Sequence, residues 1–138
     1  MLAGRFMIRI RHSAKPYQEL EVEGSDSEFS ELRSAIRSFC EAAERAIEVP
    51  AESEFDPTLY QQKLGRLRLC KTEDLLLISV SNGQLFISGR PRFLRLFAEN
   101  LPCDAHQASA VPYHVHFDRL GREERISEAS LDIILTLR

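Results

Sequence analysis

The stretch LLLISVSNGQLFIS, residues 75–88, constrains the fold of this chain more than any other feature. Asn82-Gly83 is the strongest short-range signal for a β-hairpin, because a type I′ turn needs positive φ at both central residues. Closing this turn leaves apolar residues on both faces, which is typical of a central or doubly covered strand pair. One face carries the pairs Val80–Leu85 and Ile78–Ile87, and the other carries Leu75, Leu77 and Phe86.

Two further alternating stretches predict a second hairpin near the N-terminus. RFMIRIR (5–11) and QELEVE (18–23) each place apolar residues on one face, and five residues, HSAKP, separate them. Arg9 and Arg11 would then face the outward glutamates of the second strand. Exposed ion pairs of this kind contribute about 0.2–1 kcal/mol each, so they would mainly help to fix the register.

A helix is predicted to follow this hairpin. Ser25 and Glu28 fit the capping box S-x-x-E, in which each side chain satisfies an unpaired backbone amide of the other residue. An apolar stripe at helical spacing runs from Phe29 to Ile47, and Pro50 is expected to end the helix. Residues 51–62 then read as a loop, with Phe55, Leu59 and Tyr60 as its anchors.

The second half repeats this order of elements. Pro91 suits the first turn of a second helix that ends by Pro102. Strands are predicted at 66–70, 111–118 and 130–137, with 66–70 forming a meander with the hairpin strands. Together these elements predict a single α+β domain over 1–138, with a mostly antiparallel sheet of about seven strands and two helices on one face. The repeated β-α-β-β order reflects either an internal duplication, in which 66–70 matches 113–117, or the order of elements that is common in α+β domains.

Charge is distributed unevenly along the chain. Residues 19–56 carry a balance of −9 and the remainder +6, within a net charge of −3. Either the two regions pair within the fold, or the first helix presents a negative face to a cationic partner through Glu31, Glu41, Glu44 and Glu48. The basic residues are scattered and lack interleaved exposed aromatics, so nucleic-acid binding is not expected.

The bulk features predict a cytoplasmic protein that does not associate with membranes. The N-terminus MLAGRFMIRIRHS has only short apolar pieces, so we expect neither a signal peptide nor a membrane span. Cys40, Cys70 and Cys103 are odd in number and form no CxxC pair, which favours a reducing compartment.

Three of the four histidines fall within residues 101–118. In a strand, His114, His116 and Asp118 would share the polar face, opposite Tyr113, Val115 and Phe117. The simplest interpretation is the solvated side of a half-buried strand, and a partner-binding or pH-sensitive surface is the alternative. A third interpretation is a metal-dependent enzyme, because an H-x-H strand pair with Cys103 and His106 could supply four ligands.

Residues 84–137 resemble the immunity protein 32 family of bacterial polymorphic toxin systems. The resemblance is carried by a strand ending in Ser88-Gly89, by a helix with Phe93, Leu96 and Phe97, by the H-x-H-x-D strand ending at Asp118, and by Ser130-Leu131-Asp132-Ile133-Ile134. It implies a cytosolic, non-enzymatic protein that binds a cognate toxin and blocks its active site or its access to substrate.

The leading prediction is therefore a protein-binding module of the immunity type, with no catalytic residue, cofactor or metal. Its expected partner is a cognate protein toxin or another protein. The sequence is also compatible with a homodimer. The predicted partner-binding residues are Glu31, Glu41, Glu44, Glu48, His114, His116 and Asp118. The alternatives are the metal-dependent enzyme and a structural subunit that uses the hairpin at 75–88 as an interface.

Overall fold

A computed structural model describes residues 7–103 and 113–138 of the chain. These ranges contain two helices and nine strands, which confirms the α+β class. The strands are β1 (Arg9–Ser13), β2 (Glu19–Gly24), β3 (Ala46–Pro50), β4 (Gln62–Leu64), β5 (Arg66–Lys71), β6 (Leu77–Ser81), β7 (Gln84–Gly89), β8 (Tyr113–Phe117) and β9 (Ile133–Leu137). The helices are α1 (Asp26–Glu41) and α2 (Pro91–Glu99).

The strands form two sheets, whereas a single sheet of about seven strands was predicted. The five-stranded sheet has the order β4-β1-β2-β9-β8, and the four-stranded sheet has the order β3-β5-β7-β6. Each sheet contains one parallel pair, β2 with β9 and β5 with β7, and the remaining pairs are antiparallel. The predicted meander of β5, β6 and β7 is wrong, because β7 lies between the other two strands.

Both predicted hairpins are confirmed, as are the facing of Arg9 and Arg11 with the glutamates in the first and the residue pairs predicted for the second. In the first, Arg11 pairs with Glu21. In the second, Val80 pairs with Leu85, and Asn82 and Gly83 have φ values of 52° and 73°. The outer edge of β6 is covered by the chain that leads to β9. There the backbone N–H of Leu76 donates to Arg125 at 2.8 Å, and that of Leu131 donates to Ile78 at 2.9 Å.

The first helix begins as predicted and ends earlier. Ser25 and Glu28 form the capping box, with hydrogen bonds of 3.1 and 2.8 Å in the two directions. The helix ends at Glu41, and Ile47 lies in β3, paired with Leu69 of β5. The spacing of Ile47 fits both a continued helix and an alternating strand. Pairing with β5 buries Val49 beside it, and this tertiary contact decides the outcome.

Apart from the short strand β4, which lies between β3 and β5, the described chain consists of two units with the same order of elements. The first is β1-β2-α1-β3-β5, and the second is β6-β7-α2-β8-β9. The hairpin of each unit pairs in parallel with the last strand of the other unit. The predicted matching of 66–70 with 113–117 is wrong, because β3 occupies the place of β8 and β5 that of β9.

One continuous core joins the inner faces of both sheets to the apolar stripes of both helices. The helices pack against each other, and Arg33 of α1 donates to the carbonyl of Ala98 in α2 at 3.0 Å. Phe97 of α2 meets Phe117 of β8 edge to face, with ring centroids 5.4 Å apart. In the described ranges, neither helix has the length and apolar character needed to cross a membrane.

Candidate functional site

The four glutamates predicted to form one helical ridge lie on different elements. Glu31 is half-buried on α1, Glu41 ends that helix, Glu44 lies in the following turn and Glu48 lies on β3. The prediction of a single acidic ridge on the first helix is therefore wrong, because the helix ends at Glu41.

Two of these glutamates form ion pairs within the fold. Glu41 lies 3.0 Å from Arg95 of α2. Glu48 lies 3.1 Å from Arg68 and 3.5 Å from Arg66, both on the neighbouring strand β5. All these side chains are more than a third exposed, so each pair adds little stability. Their geometry matches the expectation that acidic and basic regions pair internally.

The histidine strand has the predicted alternation. His114 and His116 are exposed on the outer face of β8, whereas Phe117 is buried. Asp118 follows the strand and lies 3.8 Å from Arg122. His116 and Asp118 also line one shallow depression of about 160 Å³ with Glu19 and Asp132. The structure thus brings together the second histidine and the aspartate of the predicted set.

His114 is connected to the neighbouring strands by hydrogen bonds. Its Nδ1 atom lies 3.0 Å from Oγ1 of Thr136 on β9. Thr136 in turn donates its hydroxyl proton to Glu21 on β2, at 2.7 Å. The threonine was missed in the sequence, although a polar residue in the apolar stretch SLDIILTL was the available signal.

Ion pairs continue this chain of contacts across β2 and β1. Arg11 lies 2.8 Å from Glu23 and 3.1 Å from Glu21, and its side chain is only 14% exposed. Burial opposes the charge of Arg11, but the hydrogen bond to Glu23 and the charges of both glutamates raise its pKa above the ordinary value. Arg9 extends the network to Glu23 at 4.0 Å and to Glu52 at 3.2 Å.

These groups form one surface of the five-stranded sheet, here named the charged face. Its members are the outward side chains of β1, β2, β9 and β8, namely Arg9, Arg11, Glu21, Glu23, Ile134, Thr136, His114 and His116. The strand register places them in two rows, Arg11–Glu21–Ile134–His116 and Arg9–Glu23–Thr136–His114. Hydrogen bonds and ion pairs join six of these eight side chains, all except Ile134 and His116.

Residues 51–61, here named the strap, lie against the β1 side of this face. Phe55 is stacked beneath Arg9, Arg11 and Lys63, with the cationic groups 5.0–5.8 Å from its ring centroid. Burial and the nearby charges of Glu21 and Glu19 raise the pKa of Tyr60. Phe55, through these contacts, and Tyr60, which is half-buried, are therefore anchors that the sequence predicted.

The third residue predicted to anchor this segment, Leu59, does not pack against the fold. Its side chain is 93% exposed. The β8 half of the charged face, with both histidines, lies on the far side of β2 and β9 from the strap.

The residues proposed as metal ligands lie on opposite sides of the sheet. Cys103 is 5% exposed and lines the same depression as Tyr113 and Val115, the inward residues of β8. His114 and His116 point the other way, and His106 lies outside the described residues. Within ranges 7–103 and 113–138, no group of three or more His, Cys, Asp or Glu residues is placed to hold a metal ion.

The charged face offers donors and acceptors on a firm support, and this chemistry suits recognition of another macromolecule. The four-stranded sheet offers a second outer surface, where Leu77 and Phe86 are half-buried and Leu75 is 37% exposed. Comparisons with protein-family models, with curated proteins and with solved structures find no match.

Proposed function

We propose that this chain is a non-enzymatic protein-binding module that acts as a cytoplasmic immunity protein and neutralises a cognate toxin. The observation that carries the proposal is the network that runs from His114 through Thr136, Glu21, Arg11 and Glu23 to Arg9. This network fixes charged and polar groups in place before any partner arrives. A preorganised surface loses little conformational entropy when it binds, which favours affinity.

The charge pattern also suits a specific protein partner. Fixed charges on a surface accelerate association with a complementary protein and exclude mismatched ones. The resemblance of residues 84–137 to the immunity protein 32 family adds the class of partner, a protein toxin. In this proposal the exposed histidines of β8 and the nearby Asp118 contact the toxin, which is bound without chemical turnover.

The test is a binding measurement with the purified, catalytically silenced product of the gene next to the one for this chain. We expect a tight complex, and His114→Ala/His116→Ala should weaken it by at least about tenfold, as expected for a central contact. Because both imidazoles are exposed, this variant should fold normally. The absence of any complex with the unaltered protein would contradict the proposal.

A second pair of variants separates the two candidate surfaces. Glu41→Lys/Glu48→Lys reverses charges far along the chain from the histidines while leaving the charged face intact. If the acidic residues contact the toxin, association should slow and its salt dependence should flatten. Unchanged association kinetics would exclude these glutamates and leave the charged face as the contact.

A further inference from the structure

Leu59 has a backbone conformation that leucine rarely adopts. Its φ is +74°, and it is the third residue of a turn closed by the N–H of Tyr60 on the carbonyl of Pro57, at 2.8 Å. A turn with positive φ at this position normally has glycine or asparagine there, because a Cβ atom crowds the backbone. The strap therefore has a large apolar residue where its local geometry favours the smallest one.

The fold gains nothing from the side chain of Leu59. At 93% exposure, it is the most exposed large hydrophobic side chain in the described part of the chain. A strained residue that does not contribute to packing points to a function outside the fold.

The turn that presents Leu59 is held firmly. Asp56 accepts the backbone N–H of Thr58 at 2.9 Å and also its hydroxyl proton. Gln61 is bound to the β1–β2 turn: its side-chain oxygen accepts the N–H of Ala14 at 2.8 Å, and its amide donates to the carbonyl of Lys15 at 2.6 Å. A side chain on such a support binds with a small loss of conformational freedom.

The same contacts bring a second exposed apolar residue to this end of the sheet. Tyr17 follows Lys15 in the β1–β2 turn and is 77% exposed. Three exposed carboxylates, Glu54, Asp56 and Glu19, lie in the strap and at the start of β2 and form no ion pair within the described residues. They outnumber the exposed lysines of the β1–β2 turn and β4, Lys15 and Lys63. Hydrogen bonds from Thr58 lower the pKa of Asp56, so its negative charge persists in mildly acidic solution.

We infer that Leu59 is an anchor that inserts into an apolar pocket of the protein partner, and that basic side chains surround that pocket. The partner's charge follows from complementarity to the unpaired carboxylates, and the apolar pocket follows from the side chain that must fill it. This inference rests on the proposed function and adds a second contact point, in the strap, and the chemistry of the partner.

The test compares Leu59→Gly with Leu75→Gly, using the silenced product of the neighbouring gene as the probe. Leu75 is also exposed, at 37%, and lies just before β6 of the four-stranded sheet. Leu59→Gly should raise the thermal unfolding midpoint, because glycine adopts positive φ freely, and yet weaken binding by at least about tenfold. Leu75→Gly should leave affinity within about twofold of the unaltered chain.

Gain of stability with loss of affinity is a result that a structural role for Leu59 would not produce. Leu59→Asn, which also tolerates positive φ, should reproduce the loss of affinity. Tight binding by both variants would overturn the inference while leaving the proposed function standing. Failure of the unaltered chain to bind would overturn both.

The charge of the partner is tested separately with Glu54→Lys/Asp56→Lys. This variant should slow association and weaken its dependence on salt, because it removes the carboxylates that face the basic rim. If the association kinetics equal those of the unaltered chain, the inference that basic side chains surround the partner's pocket is overturned. The affinities of the Leu59 variants would then decide the apolar anchor alone.

Discussion

His114 and Thr136 form a hydrogen bond of 3.0 Å between Nδ1 and Oγ1, and its direction follows from a third group. The hydroxyl proton of Thr136 is donated to Glu21, a carboxylate that can only accept. The threonine oxygen must therefore accept from His114, which places a proton on Nδ1. In the neutral ring, Nε2 is then the acceptor that faces outward, available to a donor on a partner.

Thr136→Val should remove this relay without changing the shape of the side chain. Thr136 is 7% exposed, and its loss leaves Glu21 with one hydrogen bond fewer while Arg11 still pairs with it. We expect a loss of about 1 kcal/mol in the free energy of unfolding, measured by urea denaturation. In the complex, affinity should fall as well, because the His114 ring loses its fixed orientation. An unchanged urea midpoint would show that the relay is not formed in solution.

Glu28 should be the most important carboxylate of α1 for stability. It is 7% exposed, accepts the N–H of Ser25 at 2.8 Å, and lies 3.0 Å from Nη2 of Arg138. Glu28→Ala removes the capping box and this charged contact, so the free energy of unfolding should fall by about 1–2 kcal/mol. Glu31→Ala, three residues along the same helix, is the matched control and should change it by less than about 0.5 kcal/mol. Thermal and urea unfolding measure both variants, and equal destabilisation by Glu28→Ala and Glu31→Ala would contradict this prediction.

Local signals in the sequence were sufficient where neighbouring residues decide the structure. The capping box at Ser25, the Asn82-Gly83 turn and the outward direction of His114 and His116 all depend on residues a few positions apart. Each involves one physical requirement, such as positive φ in a tight turn or alternation along a strand.

Contacts between distant segments could not be read in the same way. The parallel pairs of β2 with β9 and of β5 with β7 join strands from opposite units, and no local pattern specifies them. The end of α1 was misplaced for the same reason, because Ile47 satisfies helical and strand spacing equally. Within the candidate site, the histidines were predicted from alternation, whereas Thr136 became part of it only through β9 pairing with β8.

Gly89→Ala should be far more destabilising than Gly65→Ala. Gly89 has a φ of +154°, and an added Cβ would lie 3.0 Å from the Cα of Leu76, a backbone atom that cannot move aside. We expect a loss of more than about 2 kcal/mol from strain and overlap together. A Cβ at Gly65 would meet nothing within 4 Å, so this control should stay within about 1 kcal/mol of the unaltered chain. Chemical denaturation of the two variants measures the difference, and similar midpoints would contradict the close approach of β7 to Leu76.

The three cysteines should react with a thiol-alkylating reagent in a fixed order, Cys70 first, Cys40 second and Cys103 last. Cys70 points outward from β5 and is partly exposed, whereas Cys103 is 5% exposed. Burial raises the pKa of Cys40 despite the opposing charges of Arg95 and Lys71, so its reactive thiolate is scarce at neutral pH. Because its pKa is raised, the rate of Cys40 alkylation should keep increasing as the pH rises above about 8.5, the usual pKa of a cysteine.

Mass spectrometry of the alkylated peptides follows each site, with Cys40→Ser and Cys70→Ser as controls for assignment. Fast labelling of Cys40 at neutral pH would contradict its packing against the carbonyl of Pro91, which lies 3.5 Å from its sulfur.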